Sequence, residues 1–216
     1  MSGSDLHHPY VFVGLGNPGK QYADTRHNLG FLVIENLAQK WGWSWKNDRY
    51  MQAKIAKGCV EGRDVHLLLP QTYMNLSGQA VRRYLDFLKL PVQSVVIVVD
   101  DVALPFGQVR LKTMGSAGGH NGLKSIEASL GTTHYVRLRM GVGQPLTLND
   151  LVDYVLAPFT ASEQEELNEF IADGVDVLQQ LIRSSPATLM NAVNGKYKRF
   201  NQIPQKGEEN KKDESS

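Results

Sequence analysis

The chain has 216 residues, 42% of them hydrophobic and 21% charged, with a formal net charge of +1. That length suits one α/β domain with a real core. The near-zero charge excludes global basicity as a means of holding a nucleic acid, so any such contact must come from a local patch.

Taken from the N-terminus, Met1 to Pro9 has no signal-peptide core. Tyr10 to Val13 predicts a strand that stops at Gly14-Leu15-Gly16-Asn17-Pro18-Gly19. Those glycines formally match a dinucleotide-binding loop, but that loop requires a helix opening on the third glycine. Lys20 to Asn28 is polar and has no apolar stripe, so the dinucleotide reading is rejected. What remains is a tight turn carrying Asn17 and a polar loop that delivers Thr25-Arg26-His27-Asn28 to the start of a helix. Strand-end loops hold chemistry in α/β proteins. His27 is the candidate base because only histidine titrates near neutrality without perturbation. Taken alone, His27 and Asn28 read equally well as helix caps.

Phe31, Ile34, Leu37, Ala38 and Trp41 predict a helix from Leu29 to Trp41. Trp41, Trp43 and Trp45 alternate and read as core packing rather than a stacking platform for bases. Met51 to Val60 and Val65 to Leu69 form a hairpin across Glu61-Gly62-Arg63-Asp64, with Cys59 as a small buried hydrophobe. As the single cysteine it allows no internal disulfide and points to a reduced compartment. The loop Gln71 to Leu76 leads to Ser77, the expected N-cap of a helix reaching Lys89. Val95 to Val99 is a continuous β-branched run, a strand buried on both faces, and it ends on Asp100-Asp101.

Gln108 to Lys112 predicts another strand, followed by the glycine-rich Gly115 to Gly122, which carries His120 and Asn121 into a helix ending near Leu130. Val136 to Val142 is a strand with Arg137 and Arg139 on one face. Asn149 to Leu156 predicts a short helix. Ser162 and Glu165 predict a capping box for the longest helix, whose buried side carries Leu167, Phe170, Ile171, Gly174, Leu178, Leu181 and Ile182. A final helix spans Pro186 to Asn194. Residues 1–201 thus read as one domain, and 202–216 as a disordered polar tail. No apolar run is long enough to span a bilayer, which makes the cytoplasm the expected location. The alternation of elements predicts a single three-layer α/β domain with a twisted, mixed central sheet and helices on both faces. Its loops would bring Asn17, His27, Asn75, Asp100, His120 and Asn121 to one rim.

GLGNPG, TRHNLGF, TYMNLSG, VVDD, LPFG, GGHNG and RLRMGVG occur in an order and spacing that resembles the bacterial-type peptidyl-tRNA hydrolases, over Val11 to Val193. The resemblance implies hydrolysis of the ester joining a peptide to the terminal adenosine of tRNA, as a monomer, with no metal, organic cofactor or obligate protein partner. It makes His27 the general base and Asp100 the carboxylate that fixes its other ring nitrogen. Asp101 reads as a solvated loop carboxylate. Asn17, Asn75 and Asn121 become neutral donors and acceptors: the resemblance sets Asn75 at the water or ester carbonyl, Asn17 at the terminal nucleotide and Asn121 beside the histidine, although each alone reads as a turn or cap residue.

The same resemblance places Tyr22, Tyr73 and Met74 at the substrate. His120 becomes a second site histidine, with a loop cap as its rival reading. Arg110, Lys112 and Arg139, with Lys124 and Arg137, become phosphate contacts, and Lys196, Lys198 and Arg199 a weaker patch. Gly115–Gly119 and Gln144–Asp150 become a gate and a lid. Two departures stand out: Ala103, where many members carry an acidic residue, and the segment near Gln144-Pro145. The rival function is a non-catalytic, splicing-factor-like RNA-binding protein on the same fold. The lack of a serine- and arginine-rich transit peptide favours the enzyme.

Overall fold

The computed structural model describes residues 8–145, 147 and 150–197. Its strands are β1 (Tyr10–Gly14), β2 (Lys46–Asp48), β3 (Ala53–Val60), β4 (Arg63–Pro70), β5 (Val95–Asp101), β6 (Val109–Lys112) and β7 (Val136–Gly141). They form one sheet in the order β2-β3-β4-β1-β5-β7-β6. Pairing is parallel for β4-β1-β5-β7 and antiparallel at both edges, so the sheet is mixed as expected. The two central strands, β1 and β5, are buried along their whole length, which is why their sequences run apolar without alternation.

The helices are α1 (Leu29–Lys40), α2 (Ser77–Leu88), α3 (Asn121–Leu130), α4 (Leu151–Leu156), α5 (Ala161–Arg183) and α6 (Pro186–Lys196). One face of the sheet packs on α1 and α5 around Phe12, Val98, Leu138 and Phe170. The other packs on α2 and α3 around Val13, Ile97, Val81 and Ile126. This is the three-layer arrangement. On the edge strand β6, Asn194 of α6 donates to the Leu111 carbonyl and accepts from its N–H, at 3.2 and 2.8 Å, covering backbone groups that would otherwise recruit another strand. Among the described residues no helix is long and apolar enough to cross a membrane.

Two glycine-dependent features set the geometry. In the β3–β4 turn Glu61 and Gly62 have φ of 52° and 77°, the two-residue turn that suits strand twist. At the start of α1, a Cβ on Gly30 would lie 2.4 Å from the Val98 carbonyl oxygen. Only glycine lets α1 begin directly against the ends of β1 and β5, and this seats the preceding His27 turn beside Asp100.

Several expectations are corrected. Cys59 is exposed, because burial along β3 fades toward the hairpin tip. Ser77 does not cap α2; it is the first helical residue, and its hydroxyl donates to the Met74 carbonyl. The capping box of α5 is Thr160 with Glu163. Thr160/Glu163 and Ser162/Glu165 share the same spacing two residues apart, and the helix starts at Ala161, which selects the earlier pair. Trp43 and Trp45 do pack against the core. The expected tail 202–216, the Lys198 and Arg199 part of the weaker basic patch, and Asn149 lie outside the described residues.

Candidate active site

β5 delivers Asp100 and Asp101, both buried, to the carboxyl end of the parallel strands, where α/β sheets place their crevices. His27 arrives from the 3₁₀ turn Arg26–Asn28 that runs into α1. Its Nδ1 lies 3.1 and 3.0 Å from the two Asp100 oxygens. A ring nitrogen facing a carboxylate carries the proton in neutral imidazole, which leaves Nε2 as the acceptor. Burial acts to lower the His27 pKa, but the Asp100 charge and hydrogen bond outweigh it, and the net shift is upward from the ordinary histidine value. For Asp100, burial acts to raise the pKa. The opposing charges and hydrogen bonds of His27 and His120 hold it well below the usual carboxylate range.

His120 is both cap and site residue. Its Nδ1 accepts from the Leu123 N–H at 3.3 Å, capping α3, while its Nε2 lies 3.0 Å from Asp100 Oδ1. The cap fixes the tautomer: Nδ1 must be the acceptor, so Nε2 carries the proton and donates to Asp100. The carboxylate therefore receives two imidazole donors, with ring centroids 4.8 Å apart. Ligand-capable atoms of His27, Asp100 and His120 fall within 4.8 Å of one another, but the nitrogens facing Asp100 carry protons in this arrangement, so the cluster is wired as a hydrogen-bonded triad. The absence of metal-ligand spacing in the sequence did not reveal this, because strand ends bring together residues far apart in the chain.

Asn17 is held by Asn28. The Asn28 amide donates to the Asn17 carbonyl at 2.9 Å and accepts from its N–H at 2.8 Å. Asn28 stands at the N-cap position of α1 but makes no side-chain cap bond. The Asn17 Oδ1 accepts from the Met74 N–H at 2.8 Å, leaving its Nδ2 as the group available to the cavity.

These elements surround a cavity of about 370 Å³ lined by Asn17, His27, Tyr73, Met74, Asn75, Asp100, His120 and Asn121, as the motifs anticipate. Ala117, Gly118 and Gly119 border it on the gate side. Part of Gln144–Asp150 lies outside the described residues. The wall on that side is α4, through Leu151, Val152, Val155 and Leu156. Sequence reasoning gave this segment only as a short helix and missed the wall; no residue of α4 is buried.

Tyr22 is not among the cavity-lining residues; its carbonyl accepts from Thr25. Arg110 and Lys112 are half-buried on β6, outside the lining, and Lys124 is exposed on α3. Arg137 is no phosphate contact: it is buried and donates to Ser116, Glu127 and Thr133. Asp101 is buried and pairs with Arg139, and it accepts from the Ala103 N–H at 2.9 Å, so the solvated-loop reading fails. Strand continuation put Asp101 on the Arg139 face of the sheet, where desolvation demands a partner.

A family model described as peptidyl-tRNA hydrolase matches residues 11–202. The chain belongs to the peptidyl-tRNA hydrolase family. A peptidyl-tRNA hydrolase of Cytophaga hutchinsonii is 44% identical over 187 residues, 87% of this chain and 98% of that protein. One of Chloroflexus aggregans is 45% identical over 186 residues, 86% of this chain and 98% of that protein. The crystal structure of peptidyl-tRNA hydrolase from Acinetobacter baumannii superposes with a TM-score of 0.84 at 37% identity, covering 92% of this chain and 99% of that one. The peptidyl-tRNA hydrolase fold is thus continuous over the whole cavity-forming part of the chain.

Proposed function

We propose that the chain hydrolyses the ester joining a peptide to the terminal adenosine of tRNA, with His27 as general base. One observation carries this reading: His27 spends Nδ1 on Asp100, which leaves Nε2 as a proton acceptor at the cavity. A water at Nε2 is deprotonated as it attacks the ester carbonyl, and Asp100 stabilises the imidazolium that forms. The proton then passes to the departing ribose oxygen. Asn17 offers an N–H donor for the developing oxyanion. Asn75 and Asn121, exposed at the rim, hold water and the terminal nucleotide. Tyr73 and Met74 flank the peptide.

Family membership supports peptidyl-tRNA as the substrate. On this reading Arg110 and Lys112 meet backbone phosphates from the β6 edge, while Arg139, tied to Asp101, shapes the cavity floor. The enzyme acts as a monomer in the cytoplasm. The test is release of an N-acetylated amino acid from tRNA, with the free aminoacyl-tRNA as control. Turnover of the blocked ester alone supports the reading. Binding of both with turnover of neither supports the RNA-binding alternative.

A further inference from the structure

Arg26, the neighbour of His27, is only 3% exposed, and the cavity chemistry leaves its guanidinium unused. It reaches the connection between α4 and α5. Nη1 lies 3.3 Å from the Tyr154 and Ala157 carbonyls and 2.8 Å from that of Pro158, while Nη2 pairs with Glu163 at 2.6 Å. The guanidinium lies over the Tyr154 ring, 4.4 Å from its centroid. The backbone adds to this: Arg26 N–H donates to the Ala157 carbonyl at 3.2 Å, and Thr25 bridges Pro158. The same Glu163 oxygen closes the capping box of α5 by accepting from Thr160 N–H.

The need for such a tie follows from α4 itself. Six residues are too few to hold a helix alone, and none of them is buried. The carbonyls at its C-terminal end and just beyond it favour a cation; Arg26 supplies one to Tyr154, which also accepts from the Ala157 N–H, and to Ala157 and Pro158. Its outer face, Leu151, Val152, Val155 and Leu156, is aliphatic and turned to the cavity, with Val152 63% exposed. The same lining carries the amides Asn17, Asn75 and Asn121. The lining therefore combines an aliphatic part on α4 with polar amides, and a residue that anchors α4, beside the Tyr154 hydroxyl that donates to the Val142 carbonyl, is bonded in sequence to His27.

We propose that Arg26 is a positioning residue that fixes the α4 wall relative to His27, and that this wall takes the apolar side chain of the amino acid esterified to tRNA. The inference rests on the hydrolase reading above. The planar, multi-donor guanidinium is required, because lysine satisfies fewer of these acceptors at once and does not stack in the same way.

The test uses N-acetylphenylalanyl and N-acetylglycyl esters on one and the same tRNA. Arg26→Gln, and Glu163→Gln as a milder cut of the same tie, should raise KM for the phenylalanyl ester by about tenfold, within the range a hydrophobic pocket commands. KM for the glycyl ester, kcat for both and the pH midpoint of kcat should stay within about twofold. Arg26→Lys should fall between wild type and Arg26→Gln. Equal rises for both esters, a fall in kcat, or lower thermal stability with unchanged kinetics would each overturn the proposal. Should Arg26→Gln fail to fold, Glu163→Gln decides by the same criteria. Failure of the wild-type protein to cleave either ester would instead sink the hydrolase reading itself.

Discussion

Asn28 grips Asn17 by both polar groups of its backbone, donating to its carbonyl at 2.9 Å and accepting from its N–H at 2.8 Å. The pair joins the glycine loop after β1 to the turn carrying His27, so the base and the Asn17 donor share one rigid unit. Asn28→Asp keeps the acceptor but loses the donor and sets a carboxylate oxygen against the Asn17 carbonyl. Leaving a buried partner unsatisfied costs about 1–3 kcal/mol. Asn28→Asp should lower kcat on an N-acetylaminoacyl-tRNA by about tenfold or more while free tRNA binds as before, which single-turnover kinetics and a binding titration would establish.

The direction of the His27 shift fixes a pH prediction. Asp100 holds the His27 pKa above its ordinary value, and the base must be neutral, so kcat should rise with pH through a midpoint above about 6.5. That midpoint belongs to the coupled His27–Asp100–His120 unit. Asp100→Asn removes the charge that raises it and leaves burial, which lowers it. The midpoint should then fall below the wild-type value while the plateau rate drops. A kcat profile of both proteins, with chemistry shown to be rate-limiting, checks both signs.

The same shifts fix the dependence of stability on pH. His27 has a raised pKa in the folded state, so its contribution is complete below about 6.5 and is lost as pH rises through the folded value. Asp100 has a lowered pKa, so its contribution is present above the ordinary value of 3.8 and is lost as pH falls. The extra stability of wild type over His27→Ala should therefore be greatest between these two ordinary values and shrink toward pH 8. Thermal melts at a series of pH values measure it.

Salt dependence separates phosphate contacts from cavity structure. Arg110 and Lys112 lie outside the cavity. Lys112→Ala should raise KM for full-length N-acetylaminoacyl-tRNA and flatten the log–log salt dependence of affinity by about 0.7–0.9 of a unit. A blocked amino acid on a short terminal fragment should be almost indifferent. Arg139→Ala should behave otherwise, impairing both substrates, because it strands the buried Asp101 carboxylate beside the site.

Apart from the short polar edge strand β2, the strands and long helices were legible because β1 and β5 are apolar without interruption and α5 keeps its buried positions at helical spacing. The polar rim was legible as motifs. Its wiring was not. The bonds from Asn28 to Asn17 and from His120 to Asp100 join residues that look like helix caps in sequence, and only the topology shows that such a side chain faces a strand end instead of, or as well as, its own helix. Arg137 and Arg139 share a strand face as predicted. Whether each meets solvent or a buried carboxylate depends on Glu127 and Asp101, supplied by other elements. The α4 wall was missed because its period marks an apolar face without saying what that face meets.

The central claim is that His27 is the base for peptidyl-tRNA ester hydrolysis, and single-turnover cleavage by His27→Ala beside its tRNA affinity tests it most directly. The rate should fall by about 10²–10⁴-fold, while the dissociation constant for uncharged tRNA stays within about twofold of wild type, because His27 contributes a proton acceptor rather than a phosphate contact. A His27→Ala protein that cleaves N-acetylaminoacyl-tRNA at close to the wild-type rate would contradict the account.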